Sequence, residues 1–201
     1  MFTGIITDVG TVKAVQTMAT GKRMEIACGF TMNDIPLGAS IACDGACMTV
    51  IEKTDNSFTV EISPESLNKT TLGAWNIGSR INLERPVAVG GEFGGHFVTG
   101  HVDAVGEVQK FESQGEFWEL VISYPKGFGI YLADKGSAGL NGVSLTVNSV
   151  NRADNNFSLM IIPHTLEQTN LGGLNAGDKL NLEADLIARY LLAQTQEQEI
   201  A

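Results

Sequence analysis

Apolar and polar residues alternate over short runs along this chain. Phe58-Thr59-Val60-Glu61-Ile62 and Arg80-Ile81-Asn82-Leu83-Glu84 place every second side chain on an apolar face, the pattern of a strand resting on a core. Phe157 to Ile162 and Lys179 to Glu183 repeat it further along. Asp55-Asn56-Ser57 and Asp154-Asn155-Asn156 are turn sequences that tolerate left-handed backbone. The pattern predicts an all-β protein. Two kinds of segment depart from it. Pro64–Leu72 and Pro163–Leu171 open with a proline suited to a first helical position, with Glu65 in the first turn of the former, and predict a helical turn or short helix. Asp185–Glu199 carries Leu186, Ile187, Tyr190, Leu191 and Leu192 at helical spacing behind a capping Asp185 and predicts one amphipathic C-terminal helix. Its apolar stripe needs a cover, either its own barrels or other subunits.

The strand-like segments come in pairs. Pro64–Glu84 and Pro163–Glu183 share ten of 21 positions at a constant offset of 99, without a gap. Phe2-Thr3-Gly4-Ile5-Ile6 matches Val98-Thr99-Gly100-His101-Val102 at an offset of 96, and Cys43–Val50 matches Leu140–Val147 at 97. A period this long is a duplicated domain rather than a solenoid, whose units run to about 20–50 residues. The expected organisation is an N-terminal barrel over 1–90, a C-terminal barrel over 97–186, and a helix and tail over 187–201. The stretch Val87 to Gly95, with four glycines, joins the copies. Short antiparallel strands in a half of this size close into a small barrel, which removes exposed edges.

Composition narrows the function. At 201 residues, 43% hydrophobic and 18% charged, the chain is globular, and its apolar runs are too short to span a membrane. A net charge of −10, with no cluster of Lys or Arg, argues against nucleic acid and against anionic membrane surfaces. Three cysteines (Cys28, Cys43, Cys47) without an export signal argue for reduced thiols and the cytosol.

Comparing the copies isolates the positions where chemistry diverged. Thr3-Gly4 and Thr99-Gly100 are shared, and then Ile5 faces His101; Gly45 and Gly142 are shared, and then Cys47 faces Ser144; Thr49 and Thr146 are shared. This assigns one pocket a thiol without an imidazole, and the other an imidazole with a hydroxyl. His101 can take or give a proton near neutral pH, and Cys47 is a nucleophile only as thiolate. Each also has a structural reading, as a hydrogen-bonded histidine and a small buried strand residue. His96 lies five residues before His101, so on a strand the two rings face opposite ways. Three histidines without carboxylates at ligand spacing argue against a catalytic metal, and Cys43 and Cys47 fit no zinc or redox spacing. Cys28 reads as core. Gly90–Gly95 lacks the Lys-Ser/Thr of a phosphate loop. Ser144 has no base beside it in the sequence, and hydrogen bonding to a ligand is its expected role.

MFTGII at the N-terminus, Gly45-x-Cys47-x-Thr49-Val50, GGHFVTGHVD, and Gly142-Val143-Ser144-Leu145-Thr146-Val147 together resemble the riboflavin synthase family of the trimeric alpha-subunit type, in order and over essentially the whole chain. The resemblance implies two six-stranded antiparallel Greek-key barrels and a C-terminal helix that forms a homotrimer. It implies dismutation of two molecules of 6,7-dimethyl-8-ribityllumazine to riboflavin and 5-amino-6-(D-ribitylamino)uracil by transfer of a four-carbon unit. That is the last step of riboflavin biosynthesis, and it needs no cofactor. It places the active site between the N-terminal barrel of one subunit and the C-terminal barrel of its neighbour, and admits lumazine synthase as a further partner.

Carried over residue by residue, the N-terminal pocket is Gly4, Ile5, Ile6, Cys47, Met48, Thr49 and the strand end Glu61, Ile62, Ser63, Pro64, Glu65, Ser66. The C-terminal pocket is Gly100, His101, Val102, Lys135, Ser144, Leu145, Thr146 and Met160, Ile161, Ile162, Pro163, His164, Thr165. His101 is then the proton-transfer group at the acidic C7 methyl, Cys47 the nucleophile or proton donor, and Ser144 a polar positioner. His96 and Asp185 stand behind them. Met48 departs from the Leu more usual in the family, a volume-conserving change. Lumazine protein, an antenna of similar fold that binds one lumazine without turnover, is the competing reading. Retention of Cys47, His96 and His101 favours the enzyme. A flavin reductase would need a second nucleotide domain, for which the chain has no room.

Overall fold

The computed structural model describes residues 1–198; the last three positions of the expected helix and tail lie outside the described residues. The first copy forms β1 (Asp8–Thr17), β2 (Lys22–Ala27), β3 (Ser40–Cys43), β4 (Ala46–Thr49), β5 (Glu52–Lys53), β6 (Ser57–Ile62) and β7 (Arg80–Glu84), with α1 (Pro64–Lys69) between the last two. The second forms β8 (Ala104–Gln114), β9 (Phe117–Ser123), β10 (Ser137–Leu140), β11 (Val143–Asn151), β12 (Asn156–Ile161) and β13 (Lys179–Ala184), with α2 (Pro163–Gln168) before β13, and α3 (Leu186–Gln198) follows. The short helices fall where proline opens them; Ser63 caps α1 by accepting from the Ser66 amide at 3.2 Å.

β8 to β13 close into a six-stranded antiparallel barrel in the order β10-β11-β12-β9-β8-β13. The first copy is a ladder of seven, β4-β3-β7-β1-β2-β6-β5, rather than six, because the equivalent of β11 is broken into β4 and β5. β11 itself shifts register between Val147 and Ser149, and the break falls at the matching Val50-Ile51. The bonds around the fault are the same in both copies. Val50 N donates to Ala39 O at 2.9 Å and Val147 N to Gly136 O at 2.9 Å, while Ile51 N reaches Thr59 O at 2.9 Å. The backbone is thus hydrogen-bonded past the break. Alternate side chains fill each barrel: Ile26, Phe58, Val60 and Ile81 in the first, Leu120, Ile122, Phe157 and Leu159 in the second, all fully buried.

The barrels meet across a pseudo-twofold axis. Phe2 and Val98 exchange backbone hydrogen bonds of 2.8 and 3.2 Å. The hairpin turns Asp44-Gly45 and Asn141-Gly142 press together, with no room for a Cβ at either glycine. Asn181 Nδ2 donates to Asp44 O at 2.8 Å, and Asn82 Nδ2 to Asn141 O at 3.0 Å.

Asp185 caps α3 through the Ile187 amide at 2.9 Å, and Arg189 ties the helix to its own barrel by an ion pair with Asp103 at 2.5 Å and a stack over Tyr131 at 5.9 Å. The helix is therefore tied to the second barrel through Arg189, with Leu186, Ala188 and Leu192 half-buried. Ile187, Tyr190 and Leu191 stay more than half exposed and line an apolar groove with Met1 and Phe97. No helix among the described residues is long and apolar enough to cross a membrane.

Candidate functional site

Two elbows, one from each copy, build the site. Thr3-Gly4 follows the first residues of the chain, and Thr99-Gly100 follows the glycine-rich connection. Gly4 and Gly100 have φ of +79° and +83°, and a Cβ on either would lie 2.5 Å from the Cβ of Ser144 or Cys47 respectively. Only glycine combines that backbone with that approach. The Cys47 amide donates to Gly100 O at 2.9 Å, and the Ser144 amide donates to Gly4 O at 2.8 Å. Each elbow thus leans on the other barrel.

This crossing changes the expected partition of residues. Cys47, Met48, Glu65, Ser66, Lys69, Thr70, Gly100, His101 and Val102 line one cavity of about 220 Å³. The imidazole of His101 therefore shares a pocket with the thiol, and the expectation that it accompanies Ser144 is corrected. Val102 packs against the first barrel's core for the same reason. The cavity brings a thiol, an imidazole, a carboxylate and an ammonium group together with the apolar side chains of Met48 and Val102, so it offers proton donors and acceptors to a bound molecule. Lys69 and Thr70 escaped the sequence reading; their only signal is their place at the end of α1.

At the other elbow, Ser144 is half-buried and Gly4 fully so, while Ile5 is 46% exposed. His96 Nδ1 lies 2.7 Å from Ser144 Oγ, a contact the sequence did not reveal because 48 residues separate them. Gly95 runs so close to Thr3 and Ser144 that a Cβ would meet Thr3 O at 2.0 Å, which presses His96 into place. Burial pushes the His96 imidazole below its usual pKa, against the opposing charge of Asp185, and its Nε2 is buried without a partner. In the tautomer with the proton on Nε2, His96 is a neutral base for the Ser144 hydroxyl. His96 is not among the residues that line the His101 cavity.

The remaining candidates sort by strand parity. Ile62 and Ile161 point into the barrel cores, so their backbone is what a ligand can reach, whereas Met160 and Ile162 are 40% and 48% exposed. Glu61 pairs with Arg23 at 2.8 Å on the outer face. Thr49 and Thr146 are exposed at equivalent strand positions, Leu145 and Ile6 are half-buried, and Lys135 is exposed with φ of +65°. Pro64, Ser63, Pro163 and His164 are exposed, and Thr165 half-buried, around the first turns of the short helices. No group of three metal-ligating side chains occurs among the described residues.

Tandem copies of one β unit, with equivalent elbows that carry different reactive side chains, define a duplicated small-molecule-binding class of fold. The chain belongs to the lumazine binding domain family, whose model matches it twice, over residues 3–86 and 99–185. It is 43% identical to the riboflavin synthase of Brucella abortus (strain 2308) over 99% of this chain and 100% of that one. To the riboflavin synthase of Photobacterium phosphoreum it is 39% identical over 95% of this chain and 87% of that one. The crystal structure of LumP complexed with 6,7-dimethyl-8-(1'-D-ribityl) lumazine superimposes with a TM-score of 0.81 over 92% of this chain and 99% of that one, at 24% identity, which speaks to the fold alone.

Proposed function

We propose that this chain carries out the riboflavin synthase reaction, converting two molecules of 6,7-dimethyl-8-ribityllumazine into riboflavin and 5-amino-6-(D-ribitylamino)uracil by transfer of a four-carbon unit, with no cofactor. The observation that carries the reading is the pair of equivalent elbows that differ at their reactive positions, Cys47 sharing a cavity with His101 at one and Ser144 hydrogen-bonded to His96 at the other. A reaction between like molecules needs two similar seats, and it needs them unequal so that one molecule gives carbon and the other takes it. Holding both in contact contributes up to roughly 7–11 kcal/mol in favourable intramolecular models.

In this mechanism His101 exchanges the proton of the C7 methyl group, which becomes a carbanion stabilised by the ring. Cys47 acts as nucleophile or proton donor on the molecule beside it. Ser144, polarised by His96, positions the molecule in the second pocket, and Asp185 supports His96 electrostatically. The lumazine-binding units are residues 1–90 and 97–186, and 187–201 joins the subunits. The open apolar face of α3 supports a homotrimer, which brings the first barrel of one subunit against the second barrel of its neighbour. The unpaired thiols support a cytosolic setting.

The test is incubation with the lumazine alone. Flavin absorbance is expected to rise as two lumazines disappear per riboflavin formed. Tight binding with the lumazine unchanged would identify an antenna instead.

A further inference from the structure

Each Thr-Gly elbow is held by a buried carboxylate. Glu183, on β13, accepts from the Thr99 amide and the Thr99 hydroxyl at 2.6 Å each and from the Gly100 amide at 3.1 Å. Glu84, on β7, accepts from the Thr3 amide at 2.6 Å, the Thr3 hydroxyl at 2.9 Å and the Gly4 amide at 2.9 Å. Both carboxylates are 4% exposed. Each anchors its elbow to its own barrel, but the elbow's glycine carbonyl accepts the amide of the reactive residue across the junction. Gly100 O takes Cys47 N at 2.9 Å, and Gly4 O takes Ser144 N at 2.8 Å.

We propose that Glu84 and Glu183 are crossed positioning residues: Glu183, in the second barrel, sets the geometry of the Cys47–His101 pocket in the first, and Glu84, in the first, sets that of Ser144 in the second. The chain of contacts is short and has no slack. Glu183 fixes Gly100, Gly100 meets Cys47 at van der Waals limits, and His101 is the next residue. A carboxylate suits the place because both its oxygens accept and neither donates, matching three converging donors. Glutamine keeps the shape but turns an NH2 group toward an N–H, so it loosens the elbow without opening a cavity. Burial raises both carboxyls above the usual carboxylate range, and the hydrogen bonds from Thr3, Gly4, Thr99 and Gly100 oppose that rise.

The inference rests on the proposed reaction only for its kinetic consequence; the crossing itself is read from the thiol. The experiment measures alkylation of Cys47 by iodoacetamide, mapped by peptide mass spectrometry, in the full-length protein and in Glu183→Gln and Glu84→Gln. Steady-state kcat and KM with the lumazine are measured alongside. Glu183→Gln is expected to change the Cys47 rate by about fivefold or more, and Glu84→Gln by less than about twofold. Both are expected to lower kcat by about tenfold or more, with KM moving less, since a small misplacement of reacting groups is costly. The proposal is overturned if Glu84→Gln alters Cys47 as strongly as Glu183→Gln does, or if Glu183→Gln leaves it unchanged. Should Glu183→Gln fail to fold, Glu183→Asp, which keeps the charge and withdraws it by one methylene, is held to the same thiol criterion. Absence of riboflavin formation by the unaltered protein would count against the reaction, and the thiol rates would still decide the crossing.

Discussion

His96 Nδ1 and Ser144 Oγ share a hydrogen bond of 2.7 Å, although His96 lies in the connection between the barrels and Ser144 on a strand of the second. The pair is a base beside a hydroxyl, and the imidazole is 7% exposed.

If the two act as a unit, Ser144→Ala and His96→Gln each lower kcat by about 10- to 100-fold, the scale of one positioned proton-transfer or polarising group. The double variant then loses little more than either single one. Full additivity in a double-mutant cycle would show that the hydrogen bond does not couple them. His96 also leaves a mark on stability. Its folded pKa is below the unfolded value of about 6.5, so the unfolded chain binds the extra proton, and the stability His96 contributes above that value is lost as pH falls from it towards the lower folded pKa.

Asp44 predicts the opposite trend. It occupies the turn position that Asn141 holds in the other copy, both with φ of +44°. Its Oδ1 accepts from the Asn82 amide and from Asn170 Nδ2 at 2.8 Å each. Complete burial outweighs these bonds and raises the carboxyl from 3.8 to about 7. The folded protein therefore binds the extra proton between those values, and stability falls as pH rises from about 4 to 7. Asn can keep both acceptor bonds without the charge. Asp44→Asn is expected to stabilise the protein by about 1–3 kcal/mol at pH 8 and to change it little at pH 4, measured by urea denaturation at the two pH values. An equal effect at both would mean that Asp44 does not titrate in this range.

The helix α3 carries the third prediction. It is tied down by Arg189 to Asp103, so replacing the exposed Tyr190 and Leu191 with Glu removes apolar surface from the open side alone. In the proposed homotrimer these side chains lie between subunits, so sedimentation velocity is expected to show monomers where the unaltered protein sediments as a trimer, and kcat to fall by about 100-fold or more as reacting groups lose their shared geometry. The barrels' melting temperature should move little. A variant that stays trimeric would mean that another surface holds the subunits.

The strands were legible because parity and turn residues report them directly, and the doubling because matched segments recur in order at an offset that drifts only from 96 to 99. The break at Val50-Ile51 was not, since a register fault depends on how the neighbouring strands twist. Candidate positions Cys47, His101 and Ser144 emerged from comparing the copies. Their grouping came out differently: His101 was paired with Ser144 by descent, and geometry puts it with Cys47. The sequence offered no sign of the His96–Ser144 bond or of Lys69 in the pocket.

Local order along the chain thus determined the all-β class, the two copies, the short proline-led helices and the residues where the copies differ. Those features rest on periodicity and turn chemistry, which act over a few residues. Which elbow leans on which barrel was decided only in three dimensions. The pseudo-twofold junction carries Gly4 to Ser144 and Gly100 to Cys47, and contacts between residues so distant in sequence leave no local pattern to read.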